Sequence, residues 1–483
     1  MATEHFSDPT AMQSADPGSR PRVTLLTMFR LGLFQMGLGI MSILTLGVLN
    51  RVLIDGLAVP AIIAAGAIAM HQFVAPARVW FGQMSDSKRL FGLHRSGYVW
   101  LGTICFTILS FLAVQVTWQV GNSISAAGAW AWTPQIVGWT IALAFLFTLY
   151  GLALSAGSTP FAALLVDVSD EDNRSQIVGV VWSMLMVGIV IGAILSGGLL
   201  RQLEADAPIA SLQVAIDRLF VIVPALVIVL VILGTVGIEK KYSRFSNRST
   251  FTKTNREDKI TLGTALKVLT ASRQTGLFFS FLLVMTISLF MQEPVLEPYG
   301  GQVFGMTYAE TTQLNAFWGM GTLVGLSSTG FLVVPRLGKQ RTAAIGCWFV
   351  AVSFSLIILS GFTQNPSLLR GALLLFGLAS GVTTTGAISM MLDLTAAETA
   401  GTFIGAWGLS QALARAIATV TGGAVLSLGR QLFTNLVFAY GLVFAIQAMG
   451  MMIAVWFLNR VNVKEFQDNS RQAIATVLES ELD

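Results

Sequence analysis

The segment GQMSDSKRLFGLHR, residues 82–95, decides the fold class, because it is a charged loop between two long apolar stretches. Each stretch holds about the 20 residues that an α-helix needs to cross the hydrocarbon core of a bilayer. The same alternation of apolar stretch and polar loop continues along the chain. It predicts twelve membrane spans, near residues 27–52, 60–82, 98–118, 137–159, 176–200, 217–238, 275–296, 311–334, 342–361, 368–392, 402–427 and 431–459.

The composition leads to the same class. Of the 483 residues, 54% are hydrophobic and 11% are charged, whereas soluble domains contain about 25% charged residues. A soluble fold has too little polar surface to cover this much apolar surface. The formal net charge of +4 comes with basic loops, which set topology and need no nucleic acid to explain them. We predict an all-α integral membrane protein with no nucleic-acid partner.

Loop charge predicts the orientation, because short cytoplasmic loops are enriched in Lys and Arg. Of the 29 basic residues, 22 fall in the tails and in every second loop. This alternation predicts that both termini lie in the cytoplasm. The loops on the opposite side hold five basic residues, which are Arg51, Arg201, Arg218, Arg370 and Arg430.

The spans form two halves of six. Gly151 and Gly377, Asp167 and Asp393, and Gly179 and Gly405 match at a constant offset of 226 residues, and the equal topology around them favours a parallel duplication. The predicted organisation is a disordered cytoplasmic tail (1–24), a six-helix bundle (25–238), a basic cytoplasmic linker (239–274), a second six-helix bundle (275–461) and a cytoplasmic tail (462–483).

Residues 82–95 also resemble the loop signature G-x-x-x-D-x-x-(G/R) of the major facilitator superfamily, which implies its fold of two six-helix bundles. In that superfamily, the acidic residue caps a helix and pairs with basic residues at the cytoplasmic gate. Asp167, seven residues before Arg174, resembles a second recurring feature. A basic loop that only sets topology and an acid that only caps a helix are the alternatives. The predicted gating residues are Gly82, Asp86, Lys88, Arg89, Arg95, Asp167 and Arg174.

Three ionisable side chains, those of His71, Arg78 and Arg415, lie inside predicted spans, where such groups usually face the bundle interior. His71 and Arg78 share a helix face, and Gln411 shares one with Arg415. They are candidates for ligand contacts. The alternatives are a His71 bond to a backbone carbonyl and an Arg78 that extends to the interface or pairs with Asp86. No Asp or Glu lies mid-span, which disfavours proton symport, and no enzyme motif is present, so we predict no enzyme.

Two stretches resemble the PucC family, also called the bacteriochlorophyll delivery family, which is a branch of the major facilitator superfamily. They are FMQEPVLEPYGGQVFGMT (290–307) and RLGLFQMGLGIMSILTLGVLNRVLIDGLAVPA (30–61). APARVWFGQMSDS (75–87) resembles that family's version of the facilitator loop, and IAAGAIAMHQFVAPARVWFGQMSD (63–86) is most similar to cyanobacterial members. The resemblance implies a thylakoid or bacterial inner-membrane protein of photosynthesis. It would bind or deliver (bacterio)chlorophyll, chlorophyll a in a cyanobacterium, and assist the assembly of light-harvesting or photosystem proteins.

The implied ligand is chlorophyll, held as cargo or as a bound pigment, with no intrinsic metal site. The implied partners are chlorophyll-binding antenna or photosystem apoproteins, membrane lipid and a pigment-synthesis enzyme. Groups able to ligate the pigment's magnesium belong to Gln35, Asn50, His71, Gln72 and Gln292. Arg78 or Arg415 can bind its ring carbonyls, and the MQEPVLEPYGG stretch adds Glu293, Glu297 and Tyr299 as a candidate gate or partner contact, beside Gln411. The alternatives are a secondary transporter of another hydrophobic or anionic solute, with Arg415 as counter-ion, and a scaffold without ligand.

Overall fold

The structure is a computed structural model that describes residues 23–169, 174–203, 208–243, 273–393 and 400–462. The described chain is helical, apart from short connections and one isolated bridge between Leu90 and Leu93. Numbered by span, the helices are α1 (Leu25–Gly56), α2 (Ala61–Phe73 and Ala77–Ser87), α3 (Ser96–Ala127), α4 (Pro134–Val168), α5 (Arg174–Leu199), α6 (Ile209–Thr235), α7 (Arg273–Phe290 and Leu296–Phe304), α8 (Tyr308–Ser328), α9 (Lys339–Thr363), α10 (Pro366–Asp393), α11 (Ala400–Leu432) and α12 (Leu436–Asn459).

Nine helices in the described part of the chain are long and apolar enough to cross a membrane. Two further apolar helices, Ala61–Phe73 and Gly276–Phe290, are shorter because α2 and α7 are interrupted. Together with α8, these helices fit the predicted order of twelve spans. Several extend beyond the predicted boundaries, since polar residues at a helix end continue the backbone hydrogen bonding past the apolar stretch.

Three predicted segments fall mostly outside the described residues. These are the two tails, of which residues 23–24 and 462 are described, and the linker at 239–274. The start of the linker is helical, because Ile238–Tyr242 adds one turn after α6. This turn packs against the first half of the molecule.

Capping side chains fix where two helices begin. Thr133 accepts a hydrogen bond from the N–H of Ile136, and Pro134 is the first residue of α4, where no N–H donor is needed. At the start of α8, Thr307 and Glu310 bond to each other's backbone N–H in a reciprocal capping box. The second cap also places the start of α8 beside α1.

Helix α1 contains two π-helical segments, Ile43–Val48 and Val52–Gly56, on either side of Asn50 and Arg51. A π-helical turn is wider than an α-helical turn and changes the direction of the side chains that follow it, often at functional sites. In α1 the result is that Asn50, Arg51 and Asp55 all contact the second half of the molecule.

Helix α7 ends at Phe290 and resumes at Leu296. Pro294 lies in the break, because proline has no N–H and disfavours helical geometry in the residue before it. The break in α7 thus coincides with a proline. Glu297, which follows the break, is buried, and Glu293 within the break is half-buried.

Helix α2 is also interrupted, between Phe73 and Ala77, and Pro76 precedes its second part. The sequence analysis predicted one continuous span at 60–82. His71 therefore lies before the interruption and Arg78 after it.

The two halves pack alike. In the first half, a Cβ at Gly151 of α4 would come within 2.6 Å of the Cα of His71 in α2. In the second half, a Cβ at Gly377 of α10 would come within 2.8 Å of the backbone of Thr322 in α8. These glycines are a predicted repeat pair, and each lets the fourth helix of its half approach the second. Contacts between the halves run from α2 to α11 and from α5 to α8.

The surface of the bundle is apolar. On α3, the exposed side chains of Leu101, Ile104, Ile108 and Leu112 recur at helical spacing and form one face. In water such a face would be buried against another element. Here it faces outward, as a helix in contact with lipid tails does.

Candidate functional site

His71 presents one free imidazole nitrogen to the interior. Its Nδ1 lies 2.5 Å from the carbonyl oxygen of Ile68, one turn earlier in α2, so Nδ1–H donates to this oxygen. That bond assigns the neutral tautomer in which Nε2 carries the free lone pair. Among the described residues no donor contacts Nε2, and the side chain is half-buried. The alternative considered from the sequence was a carbonyl of a neighbouring helix, but the bonded carbonyl belongs to the same helix, and the bond leaves Nε2 available.

Aromatic rings surround this imidazole on the side of α4. The ring centres of Phe147 and Tyr150 lie 6.4 Å and 6.0 Å from that of His71, and Tyr150 contacts it edge-on. Phe106 of α3 continues the wall, 5.8 Å from Tyr150. The absence of a side chain at Gly151 lets α4 come this close. These three rings are buried and lie at large angles to one another, so they form an aromatic core that supports one side of the imidazole.

Arg415 faces the same region from α11, in the other half. It is close enough to His71 and Arg78 for its charge to act on both. Its guanidinium carbon lies 3.8 Å from the centre of the Phe290 ring. Its charge also acts on Glu293. Glu293 lies in the break of α7, between Phe290 and Leu296.

Some polar side chains on α2, α7 and α11 are only partly hydrogen-bonded. The side-chain amide of Gln411 donates to the hydroxyl of Thr286 at 3.1 Å. Two buried oxygens, Oε1 of Gln72 and Oε2 of Glu293, have no donor among the described residues. Most buried polar atoms are satisfied, so at each of these oxygens a ligand or ordered water can supply the missing donor.

A second polar network joins the two halves at one end of the bundle. This end holds Gly56 and Leu432, and we call it the outer end because the predicted topology places it outside the cytoplasm. Arg51 of α1 is 3% exposed. Its guanidinium donates to the carbonyl oxygens of Met306 at 2.6 Å and Thr307 at 2.7 Å, and to the hydroxyl of Thr311. It also lies 4.0 Å from the centre of the Tyr308 ring. Arg51 was predicted as a loop charge, but the structure buries it between the halves.

The network continues through Asp55. Its carboxylate pairs with Nε of Arg51 at 3.2 Å and accepts a hydrogen bond from the amide of Gln302 at 2.6 Å. The Gln302 oxygen accepts in turn from Arg430 and from the hydroxyl of Tyr440, both at 2.8 Å. Four helices, α1, α7, α11 and α12, are connected in this way. We call these residues, Arg51, Asp55, Gln302, Arg430 and Tyr440, the outer clamp.

Glu297 lies next to the outer clamp and is 2% exposed. Its carboxylate accepts from the amide of Asn315 at 2.7 Å and from the hydroxyl of Thr312 at 3.5 Å. A Cβ at Gly47 of α1 would overlap this carboxylate, so the glycine is what admits it. Glu297 is thus a buried contact between α7, α8 and α1.

At the inner end of the first half, Arg95 pairs with Asp167 at 2.9 Å, and both side chains are buried. Arg95 also donates to the hydroxyl of Ser85 at 2.6 Å. These bonds tie the loop after α2 to the end of α4. The carboxylate of Glu239, beyond α6, caps α3 by accepting the backbone N–H groups of His94, Arg95 and Ser96.

The other gating candidates divide into two sets. Lys88 and Arg89 are exposed, and Nε of Arg89 donates to the His94 ring at 3.0 Å. Gly82 lies in α2 with the methyl group of Thr159 3.5 Å from the position of a Cβ. The side chains that lie outside the described residues are those of Asp86 and Arg174.

The remaining ligand candidates are apart from the His71 cluster or are structural. Tyr299 is buried in the second half, donates to the carbonyl of Ile357 at 2.8 Å and packs against Tyr440. Asn50 donates to the Pro294 carbonyl at 2.6 Å, across the halves. Two further candidates have no described polar contact, the half-buried Gln35 and the buried Gln292.

The sequence analysis missed most of the outer clamp. Asp55 lies beyond the predicted end of the first span, Arg430 was counted as a loop charge, and Gln302 and Tyr440 carried no signal. One signal was available. Arg51 and Asp55 are four residues apart, the spacing at which opposite charges meet on a helix.

Comparison with known proteins identifies the family. A family model with the description PUCC protein matches residues 48–466. The chain belongs to this family. Protein PucC of Rhodobacter capsulatus is 29% identical over 460 residues, which cover 93% of this chain and 95% of the relative.

Two further relatives of this chain also come from Rhodobacter capsulatus. An uncharacterized protein in the puhA-bchM intergenic region is 29% identical over 425 residues, which cover 86% of this chain and 83% of the relative. A protein described as the bacteriochlorophyll synthase 44.5 kDa chain is 28% identical over 438 residues, which cover 89% of this chain and 94% of the relative.

Solved structures show the fold. A bacterial homologue of the iron transporter ferroportin in the inward-facing state has a TM-score of 0.62 at 15% identity, and the match covers 91% of this chain and 99% of that one. The nucleoside transporter NupG has a TM-score of 0.61 at 13% identity, with 90% and 98% covered. This PUCC family member therefore has the major facilitator fold that the loop signature predicted.

Proposed function

We propose that this protein binds chlorophyll or bacteriochlorophyll in the membrane and assists its transfer to light-harvesting or photosystem apoproteins. Membership of the PUCC family supports the link to bacteriochlorophyll, and one relative carries bacteriochlorophyll in its description. The fold provides a site between two halves, which suits the capture and release of a hydrophobic ligand.

The observation that carries the proposal is the state of His71. A magnesium ion in a chlorophyll ring takes an axial ligand, and a neutral imidazole nitrogen is a common one. The Nδ1–H bond to Ile68 holds the ring in the tautomer that presents the Nε2 lone pair. The buried rings of Phe147 and Tyr150 pack on one side of the imidazole and support its orientation.

The experiment compares pigments with and without the central metal. Purified protein in nanodiscs is titrated with chlorophyll a and with magnesium-free pheophytin a, and binding is followed by fluorescence quenching. If His71 ligates the metal, wild-type protein prefers chlorophyll by at least about tenfold, since losing a good ligand contact costs about 1.4 kcal/mol or more.

The variants are His71→Phe and the control His94→Phe. His71→Phe should lose the preference for the metal, because its ring fills the same space without a lone pair. His94→Phe should keep it, since His94 lies in the loop after α2 and contacts Arg89. Equal affinity for the two pigments in wild-type protein would contradict ligation by His71, and binding of neither would contradict pigment binding.

A second candidate is a secondary transporter of an anionic solute. The two accessible guanidinium groups of Arg78 and Arg415 favour it, and the neighbours in fold are transporters. Uptake of a labelled organic anion into proteoliposomes under an ion gradient, lost in Arg415→Gln, would support this candidate. No pigment binding together with such uptake would replace the first proposal.

The setting of the protein follows from the proposed function. We place it in the thylakoid or bacterial inner membrane with both termini in the cytoplasm, as the loop charges predict. Its partners would be pigment-binding apoproteins and an enzyme of pigment synthesis. The protein itself would act by binding, without catalysing a reaction.

A further inference from the structure

Glu297 places a carboxyl group in the contact between the two halves. It belongs to α7, and its carboxyl group lies directly against Gly47 of α1, in the other half, where a Cβ would overlap it. The residue is buried. Water therefore has almost no access to this carboxyl group while α1 stays in place.

The contacts of this carboxyl group in the described part of the chain are with uncharged donors. The amide of Asn315 donates to Oε1 at 2.7 Å, and the hydroxyl of Thr312 lies 3.5 Å from Oε2. The buried carboxylate of Asp167, by contrast, pairs with Arg95 at 2.9 Å. A buried carboxylate without an ion pair is costly, and a carboxyl group avoids this cost by keeping its proton.

The cations near the outer end have other partners. Arg51 pairs with Asp55 and donates to carbonyl oxygens, and Arg430 donates to Gln302 and Tyr440. In the described ranges, no charged or titratable side chain forms a hydrogen bond or an ion pair with Glu297. Toward the outer end, the side chains of this kind on the helices that meet here are Arg51 and Asp55 of α1, Glu293 and Tyr299 of α7, Tyr308 and Glu310 of α8, Arg430 of α11 and Tyr440 of α12.

The hydroxyl of Thr312 can also act as an acceptor. It has one hydrogen, and the carbonyl oxygen of Tyr308, at 2.8 Å, is a closer acceptor than Oε2 of Glu297. When the hydrogen points to that carbonyl, a lone pair of the hydroxyl is left for an O–H group on Oε2. Oε1 then accepts from Asn315 and Oε2 donates to Thr312, which is the pattern of a protonated carboxyl group.

We propose that Glu297 is a proton-binding site whose occupancy is coupled to the separation of the two halves at the outer end. While this end is closed, Oε2 carries the proton. When α1 moves away from α7 and α8, water hydrates the group, the O–H bond breaks and the proton passes to a water molecule on the outer side, leaving a solvated carboxylate. Closing takes up one proton again. The inference goes beyond the proposed function, because it does not depend on the ligand that the halves hold.

The coupling has a defined dependence on pH. Opening releases a proton, so alkaline pH favours the open form and acid pH favours the closed form. One proton per opening changes the ratio of the two forms by up to about tenfold for each pH unit.

The measurement is the distance between two spin labels on protein in nanodiscs. The labels are attached at Ala126→Cys and Thr434→Cys, exposed positions near the outer end in different halves, after replacement of Cys105 and Cys347 by alanine. In the protein with native Glu297, the population with the longer distance should rise with pH.

Glu297→Gln should abolish this pH dependence and hold the closed form, because glutamine has the shape of a protonated glutamate and has no proton to release. The matched control is Asp217→Asn. Asp217 also accepts from uncharged donors, Gln115 at 3.0 Å and Trp118 at 2.9 Å, but these contacts lie within the first half. The control should keep the pH dependence of the labelled parent.

Infrared spectroscopy detects the proton itself. In the closed form at neutral pH, wild-type protein should show the C=O stretching band of a protonated carboxyl group, and this band should shift in D₂O. The band should be absent in Glu297→Gln and shifted in Thr312→Val, which removes the proposed acceptor.

Each part of the inference has a result that would overturn it. A spectrum without the band, or a band that Glu297→Gln retains, would contradict the protonated state. Label distances that do not respond to pH, or a response that Glu297→Gln retains, would contradict the coupling. The pigment titrations at His71 are independent of both measurements, so a failure here is distinguishable from a failure of the proposed function.

Discussion

Gly301 shows how a single residue holds the outer clamp together. It lies in the second part of α7, and a Cβ at this position would come within 2.6 Å of both Arg51 and Asp55. The ion pair therefore rests directly against the backbone of α7. Without this close approach, Gln302 could not bond to Asp55 as it does at 2.6 Å.

We expect Gly301→Ala to destabilise the protein by about 1–3 kcal/mol, the usual cost of an added methyl group without space. The measurement is thermal unfolding in mild detergent. The matched control is Gly138→Ala in α4, where a Cβ meets nothing within 4 Å. This control should be neutral or stabilising by up to about 1 kcal/mol, because alanine favours helix over glycine. Equal effects of the two changes would contradict the packing of the clamp.

At the residue scale, sequence reasoning predicts some side chains better than others. His71, Arg78 and Arg415 were recognisable because ionisable groups are rare in apolar spans, and the helices that carry His71 and Arg415 pack against each other. The burial of Arg51 was not recognisable, because a charge at the end of an apolar stretch has the same pattern as a loop charge. Its burial depends on Asp55 and on carbonyls more than 250 residues away, which local sequence does not contain.

At the scale of elements, the irregular parts of α1 and α7 build the contact between the halves. The π-helical segments of α1 direct Asn50, Arg51 and Asp55 toward the second half. The break in α7 brings Glu297 and its neighbours inward to meet them. Regular helices would present these groups to lipid or to the outer rim.

The buried pair in this contact should be strongly coupled. Removing Arg51 leaves the Asp55 carboxylate buried with Gln302 as its direct donor, so we expect Arg51→Ala to cost about 3–5 kcal/mol. Asp55→Ala should also destabilise, and the double variant should lose less than the sum, with a coupling of about 1–3 kcal/mol. Thermal unfolding of the four proteins measures it.

The control pair is Arg370 and Glu310, which both lie in the second half with their charged atoms 4.0 Å apart. Their side chains are 39% and 45% exposed, whereas those of Arg51 and Asp55 are 3% and 12% exposed. Its coupling should be about 0–1 kcal/mol, because water screens exposed charges. A coupling for Arg51 and Asp55 no larger than this would show that the clamp contributes nothing to stability.

The sequence predicted the helices well where hydropathy defines them. It predicted poorly the irregular segments that depend on backbone geometry. The apolar stretches predicted the helices and their order, whereas the resumption of α7 at Leu296 lies beyond the predicted span 275–296. The π-helical segments of α1 have no sequence signature, and the interruption of α2 before Ala77 lay within a stretch that looked continuous.

For the molecule as a whole, the described hydrogen bonds between the halves lie toward the outer end. They join Asn50, Arg51 and Asp55 to the second half, together with a bond from the N–H of Ile62 to Ser427. The cluster of His71, Arg78 and Arg415 lies farther inward along α2 and α11. The proposed ligand site thus lies below a polar closure, and we expect binding from the inner side.

The central claim is that this protein holds magnesium pigment at His71, and its most direct test is pigment content. Protein is purified in mild detergent from its native membrane, and the absorption spectrum gives pigment per polypeptide. We predict close to one magnesium tetrapyrrole per chain in wild-type protein, and at most about a tenth of that in His71→Phe, with equal protein yield. A folded, colourless wild-type preparation, or full pigment content in His71→Phe, would contradict the claim.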